Sequence, residues 1–111
     1  MGNTPKEKLL GMIGLCVRAR RAVCGTVNVC EALKAKKAVL VITASDNSAA
    51  TEKRLFDRAS FYGVKIIKTD LTSAEIGAAT GKSLVAAMAI SDASMALAVE
   101  QKAEAASANN N

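Results

Sequence analysis

The side chains with the clearest chemical capacity in this chain are cations, and they are crowded into one third of it. Residues 1–37 hold Lys6, Lys8, Arg18, Arg20, Arg21, Lys34, Lys36 and Lys37 against Glu7 and Glu31 alone, a net +6. The rest of the chain carries a net −1, so the overall +5 is localised. Spread evenly, such a charge would speak only of solubility; concentrated, it is what a phosphate-neutralising surface requires. Nucleic acid is the partner it points to. The plainer alternative is that Lys and Arg simply solvate two helix faces.

The other reactive residue types offer less. Cys16, Cys24 and Cys30 form an odd set without a CxxC pair, and the chain has no histidine, so neither a disulfide framework nor a metal site is expected. Buried structural thiols in a cytoplasmic protein fit better. The stretch from Gly77 to Ser83, with its Gly81-Lys82-Ser83 ending, imitates a phosphate-binding loop. Its spacing fails, because that motif needs four residues between the glycines and three stand here. It also leaves a helix and enters a strand, the reverse of what would aim helix amides at phosphate. Asp46 and Asp92 follow apolar runs, where α/β active sites often lie. Without a paired base or second carboxylate, each reads more simply as a helix N-cap. No catalytic residue, cofactor or metal is expected.

These groups must be positioned by alternating helices and strands. Residues 5–20 place Leu9, Ile13, Cys16 and Val17 on one helical face and Arg18, Arg20 and Arg21 at its end. A short apolar triplet at 22–24 leads to Gly25-Thr26, where glycine permits the turn and Thr26 can cap a helix over about 27–36. Residues 38–44 (AVLVITA) read as a strand buried on both faces. A helix over about 48–62 is expected to bury Ala50, Leu55, Ala59 and Tyr62 and to stop at Gly63. Residues 64–68 read as a less covered strand, since Lys65 and Lys68 flank it. Thr72 and Glu75 form a capping box before a short helix ending at Gly81. Residues 84–90 (LVAAMAI) are another apolar strand, and Ser91-Asp92 caps a last helix before a frayed polar tail at 105–111. The pattern implies an α/β fold, a three-layer α/β/α sandwich around a small mixed sheet of about four strands.

Composition narrows the choices. At 111 residues and 50% apolar, one domain over 1–104 can build a core without disulfides. Only Phe56, Phe61 and Tyr62 are aromatic, and their clustering argues against a row of base-stacking rings. Residues 9–17 imitate a signal-peptide core, but Arg18, Arg20 and Arg21 follow instead of a small-residue cleavage site. Met1-Gly2 lacks the Ser or Thr that myristoylation wants, Lys6 standing there. Secretion and membrane anchoring are not expected.

Taken in order, KLLGMIGLCVRARRAVCGT, EALKAKKAVLVITASD, FYGVKIIKT and SAEIGAATGKSLVAAMAISD resemble the ribosomal protein seven-Ae and thirty-e superfamily, including its small bacterial ribosome-associated members. The resemblance spans residues 6–100. Its most specific parts are the Arg-Ala-Arg-Arg turn before Gly25-Thr26 and the segment from Ile76 to Lys82. It implies a three-layer α/β/α fold that binds structured RNA, in many members a kink-turn, without catalysis. In such proteins RNA is held by the glycine turn with the first turn of the next helix, by the loop after the central strand, and by the loop before the last strand. Those segments correspond to 25–31, 45–48 and 82–84 here. The RNA-binding residues so implied are Gly25, Thr26, Asn28, Asp46, Lys82, Ser83 and Leu84, with Arg20, Arg21 and Lys34 as surrounding cations.

Kink-turn readers of the archaeal and eukaryotic type carry Asn then Glu after this Gly-Thr, and Lys three residues beyond that Glu. Val27, Asn28 and Glu31 stand at those places. Asn28 can still donate and accept at a base edge, but Val27 cannot, and Glu31 repels phosphate. The expectation is therefore a monomeric, cytoplasmic binder of ribosomal or other structured RNA, with ribosomal proteins as further partners. Its rival is a protein-interaction scaffold of the same fold that has given up RNA.

Overall fold

A computed structural model describes residues 4–108. The element order is α1 (Pro5–Arg18), β1 (Ala22–Cys24), α2 (Thr26–Lys34), β2 (Leu40–Thr43), α3 (Ala49–Phe61), β3 (Lys65–Lys68), α4 (Ser73–Thr80), β4 (Ala87–Ile90) and α5 (Ala93–Ala108). The strands form one four-stranded sheet in the order β1-β4-β2-β3. Only β2 and β3 run parallel; β4 lies antiparallel to both β1 and β2. The sheet is thus mixed, as expected.

Period-two alternation on the central strands divides the core into two layers. Leu40 and Ile42 of β2 and Met88 and Ile90 of β4 face Leu9, Ile13 and Cys16 of α1, Ile76 of α4 and Val99 of α5. Val41, Ala87 and Ala89 face the other way, against Val29 and Leu33 of α2 and Leu55 and Ala59 of α3. Helices therefore cover both faces, which is why the β2 and β4 sequences are apolar throughout. β3 is an edge strand with Lys65 and Lys68 exposed. Lys65 pairs with Glu100 and Lys68 with Glu52, charges that blunt the open edge.

Local expectations need several corrections. The apolar runs overstate the strands, which span only Leu40–Thr43 and Ala87–Ile90; Val39 and Leu84, outside those spans, are exposed. Ala50 is exposed in the first turn of α3, ahead of the buried Leu55 and Ala59. Ser48, not Asp46, caps α3 by accepting the Thr51 N–H at 3.1 Å. α5 continues to Ala108 and buries Ala103 and Ala106 on its apolar face, so residues 105–108 are helical rather than frayed. The expectations at Met1-Gly2 and at 109–111 lie outside the described residues.

Candidate nucleic-acid interface

Three separate segments meet at one end of β4. The Gly25 N–H donates to the Ala87 carbonyl at 2.9 Å, and the Ala44 N–H to the Ala86 carbonyl at 2.9 Å. Asn47 reaches the same Ala86 carbonyl through Nδ2 at 2.9 Å. The start of α2 and the loop 45–48 are thereby fixed on either side of the segment that brings in 82–84. The 82–84 loop is itself held by Gly77. A Cβ there would sit 2.2 Å from the Ser83 carbonyl oxygen, a contact no side chain permits. Lys82 is further tied by its N–H to the Gly77 carbonyl at 2.8 Å.

The centre of this end is the start of α2, which is open. Side-chain oxygens accept backbone N–H groups at the starts of the other four helices, from Thr4, Ser48, Thr72 and Asp92. α2 is preceded by Gly25, at φ 99° and with no side-chain cap. Thr26, expected as the cap, is instead the first helical residue. The amides of Thr26, Val27 and Asn28 have no intrahelical acceptor, and the helix dipole adds positive potential there. Such an end accepts an anion without rearrangement. Asn28 Nδ2 donates to the Cys24 carbonyl at 2.9 Å, anchoring that side chain beside the turn.

Charge and apolar surface complete the site. Burial pushes the Cys24 thiol up, and the nearby Lys82 ammonium and a hydrogen bond with Thr80 partly oppose that, so Lys82 acts electrostatically at the residue preceding Gly25. Val27 and Leu84, 67% and 71% exposed, give this polar end two aliphatic surfaces. The Cys16 thiol is likewise raised, chiefly by burial, which suits structural rather than nucleophilic sulfur.

Not every expected residue offers its side chain to this end. Asp46 faces α4: Oδ1 accepts the Ser73 N–H at 2.9 Å and Oδ2 the Ser73 hydroxyl at 3.1 Å. The Ser73 N–H holds the Asp46 carboxyl below its ordinary value of 3.8. Its visible role is to brace the 45–48 loop. Contrary to the expectation from sequence, Arg20, Arg21 and Lys34 do not ring the Gly25 turn. Ala22 pairs with Ile90 and Cys24 with Met88, so β1 carries the chain from one end of β4 to the other. The Arg21 carbonyl accepts the Ser91 N–H at the far end, about 13 Å along the strand from Ala87. Lys34 lies in the last turn of α2, also away from Gly25.

Asn47 and Gly77 are positioning residues to which the sequence by itself gave no such role. An Asn just past a buried strand, and a glycine inside a capped helix, were the available signals. Their partners, Ala86 and Ser83, became visible only in the fold.

A model of the Ribosomal protein L7Ae/L30e/S12e/Gadd45 family matches residues 7–100. The chain belongs to this family. Among its members, the RNA-binding protein YlxQ of Enterococcus faecium is 30% identical over 82 residues, 74% of this chain and 79% of that protein. The RNA-binding protein YlxQ of Bacillus subtilis strain 168 is 31% identical over 81 residues, 73% of this chain and 80% of that protein. A protein of unknown function from Bacillus halodurans superposes with a TM-score of 0.81 at 27% identity, covering 87% of this chain and 97% of that one. The Giardia lamblia 15.5kD RNA binding protein superposes with a TM-score of 0.71 over 94% of this chain and 88% of that one. At 18% identity that likeness speaks for the fold alone. The seven-Ae and thirty-e resemblance read from the ordered motifs and the α/β/α sandwich are both met.

Proposed function

We propose that this chain is a non-catalytic RNA-binding protein that grips structured RNA with the open amide end of α2 and the loops 45–48 and 82–84. The observation that carries the reading is the uncapped α2 start, pinned through Gly25 to Ala87, with the loop 45–48 pinned to Ala86 on the other side of the segment that brings in 82–84. Amides of Thr26, Val27 and Asn28 and the Lys82 ammonium meet phosphate, while Asn28 Oδ1 and Ser83 accept or donate at sugar or base edges. Val27 and Leu84 supply aliphatic contact to an unstacked base, a role that needs no aromatic ring. Gly25 lets the backbone come close. The curated relatives are named as RNA-binding proteins, which supports this reading; the protein-scaffold alternative gains no support from them.

Ribosomal RNA in the cytoplasm is the partner we favour, with ribosomal proteins adjoining it. No helix among the described residues is long and apolar enough to cross a membrane. Asp46 and Asp92 each accept backbone N–H groups at helix starts, so neither is disposed as a general base.

The test is fluorescence anisotropy with an RNA hairpin carrying an internal loop between two paired arms, against the same hairpin fully paired. Wild-type protein should prefer the looped RNA, and Lys82→Ala should weaken it and flatten the log-affinity against log-salt plot by about one. A protein that raises the anisotropy of neither RNA at moderate salt refutes the reading.

A further inference from the structure

At the end of the sheet opposite Gly25, α1 and α2 finish in the same way. Beyond α1, Arg20 N–H donates to the Val17 carbonyl at 3.0 Å and Arg21 N–H to Cys16 at 2.9 Å. Beyond α2, Lys36 N–H donates to Leu33 at 3.0 Å and Lys37 N–H to Ala32 at 2.9 Å. Both are Schellman ends, whose pivotal residue must be left-handed and is usually glycine. α3 and α4 obey the rule with Gly63 and Gly81, at φ 69° and 75°. α1 and α2 place Arg20 and Lys36 there instead, at φ 60° and 59°, the two non-glycine residues of positive φ among those described. A Cβ in that region is strained, and two such residues in matching positions call for a reason beyond the turn.

The helix dipole does not supply it. Arg18 and Lys34 already stand in the last turns of α1 and α2, where a cation is favoured, and glycine would make the turns without strain. What the two ends share is a place. The Ser91 N–H donates to the Arg21 carbonyl and the Val39 N–H to the Ile90 carbonyl, so the turns flank the exit of β4 on its two sides. Arg20, Lys37 and Ser91 line one cleft there. Arg20, Arg21, Lys34, Lys36 and Lys37 are all exposed, and none joins an ion pair with a described residue. Two carboxylates are near in sequence: Asp92, which accepts the Met95 N–H, and Glu31, one turn before Lys34.

We propose that these paired helix ends are a second RNA-contact surface, taking the phosphodiester backbone of a paired arm in a sequence-independent way. The proposal rests on the RNA-binding reading above and makes the molecule bivalent. One end of the sheet holds the irregular part of an RNA, and the other holds a flanking or separate duplex. Long unpaired cations without exposed rings among them suit phosphate rather than base recognition.

The experiment uses the full chain and the looped hairpin with paired arms, comparing Lys82→Ala, the double variant Arg20→Gly with Lys36→Gly, and their combination. The glycine variant should melt at the same or a higher temperature, because it removes the left-handed strain. It should also bind about tenfold more weakly, with a salt slope shallower by about two. The two sets of losses should add, since the sites do not touch. Replacing Arg21 and Lys37 by Ala repeats the measurement without altering either left-handed position. Unchanged affinity and slope in both double variants, with Lys82→Ala still weakened, overturns the second surface and leaves the first. Loss in the double variants with Lys82→Ala unaffected does the reverse. Wild-type protein that fails to bind the RNA overturns both.

Discussion

Gly77 lies so close to Ser83 that a single methyl group on it would meet the Ser83 carbonyl oxygen at 2.2 Å and the Lys82 carbonyl at 3.0 Å. The loop that carries Lys82, Ser83 and Leu84 toward Gly25 therefore has its path set by a missing side chain in α4. Both contacting atoms belong to backbone, so a substitution cannot be relieved by a rotamer change.

Gly77→Ala should accordingly destabilise the protein by about 1–3 kcal/mol despite the better helix propensity of alanine. Gly11→Ala offers the control. Gly11 lies within α1, and a methyl group added to it would meet nothing inside 4 Å, so that change should stabilise by up to about 1 kcal/mol. Urea midpoints of the two variants check the pair, and equal shifts in the same direction would count against the close approach. Gly77→Ala should also weaken looped RNA, by moving Lys82 and Leu84.

Thr43 offers a stabilising change. Its side chain is fully buried in β2, and its hydroxyl has no hydrogen-bond partner among the described residues. The neighbouring Thr69 hydroxyl instead donates to the Thr43 carbonyl at 2.8 Å. Thr43→Val keeps the shape and removes an unsatisfied polar atom, so a gain of about 1 kcal/mol is expected. For a domain of this size that is a rise of about 4 °C in melting temperature, read by calorimetry. A fall would show that the hydroxyl is satisfied.

Acid should loosen the start of α4. Glu75 is held below its ordinary value of 4.5, first by its hydrogen bond with Lys6 and then by the Thr72 N–H. Asp46 is held below 3.8 by the Ser73 N–H and then by the Ser73 hydroxyl. Both carboxyls have folded values lowered relative to the unfolded chain. Their stabilisation is complete above those ordinary values and disappears as pH falls through the lowered ones. Urea midpoints measured downward from neutrality should fall below about pH 4.5, and Glu75→Gln with Asp46→Asn should flatten that decline. An identical acid limb in the double variant would remove these two groups as its cause.

Much of this arrangement was legible before folding. Periodicity located the helices, continuous apolar runs located β2 and β4, and the Thr72–Glu75 box located the start of α4. Lys65 and Lys68 marked a less covered strand, and the ordered motifs from the Arg-rich turn to Lys82 marked the family. These signals are local, or depend only on order along the chain. Strand ends were less legible, because an apolar run does not say where its partner stops; Val39 and Leu84 belong to such runs yet lie outside the strands and are exposed.

What sequence alone determined, then, was which segments are helix or strand, which faces are apolar, and that cations gather before Lys37. It could not say at which end of the sheet each cation would stand. That was decided by β1 lying antiparallel to β4, with Ala22 opposite Ile90 and Cys24 opposite Met88. Three extended residues are enough to carry the chain across the sheet, so Arg21 and Gly25, four positions apart, finish at opposite ends. Strand direction and register arise from packing between distant segments, and charge follows wherever that packing sends it.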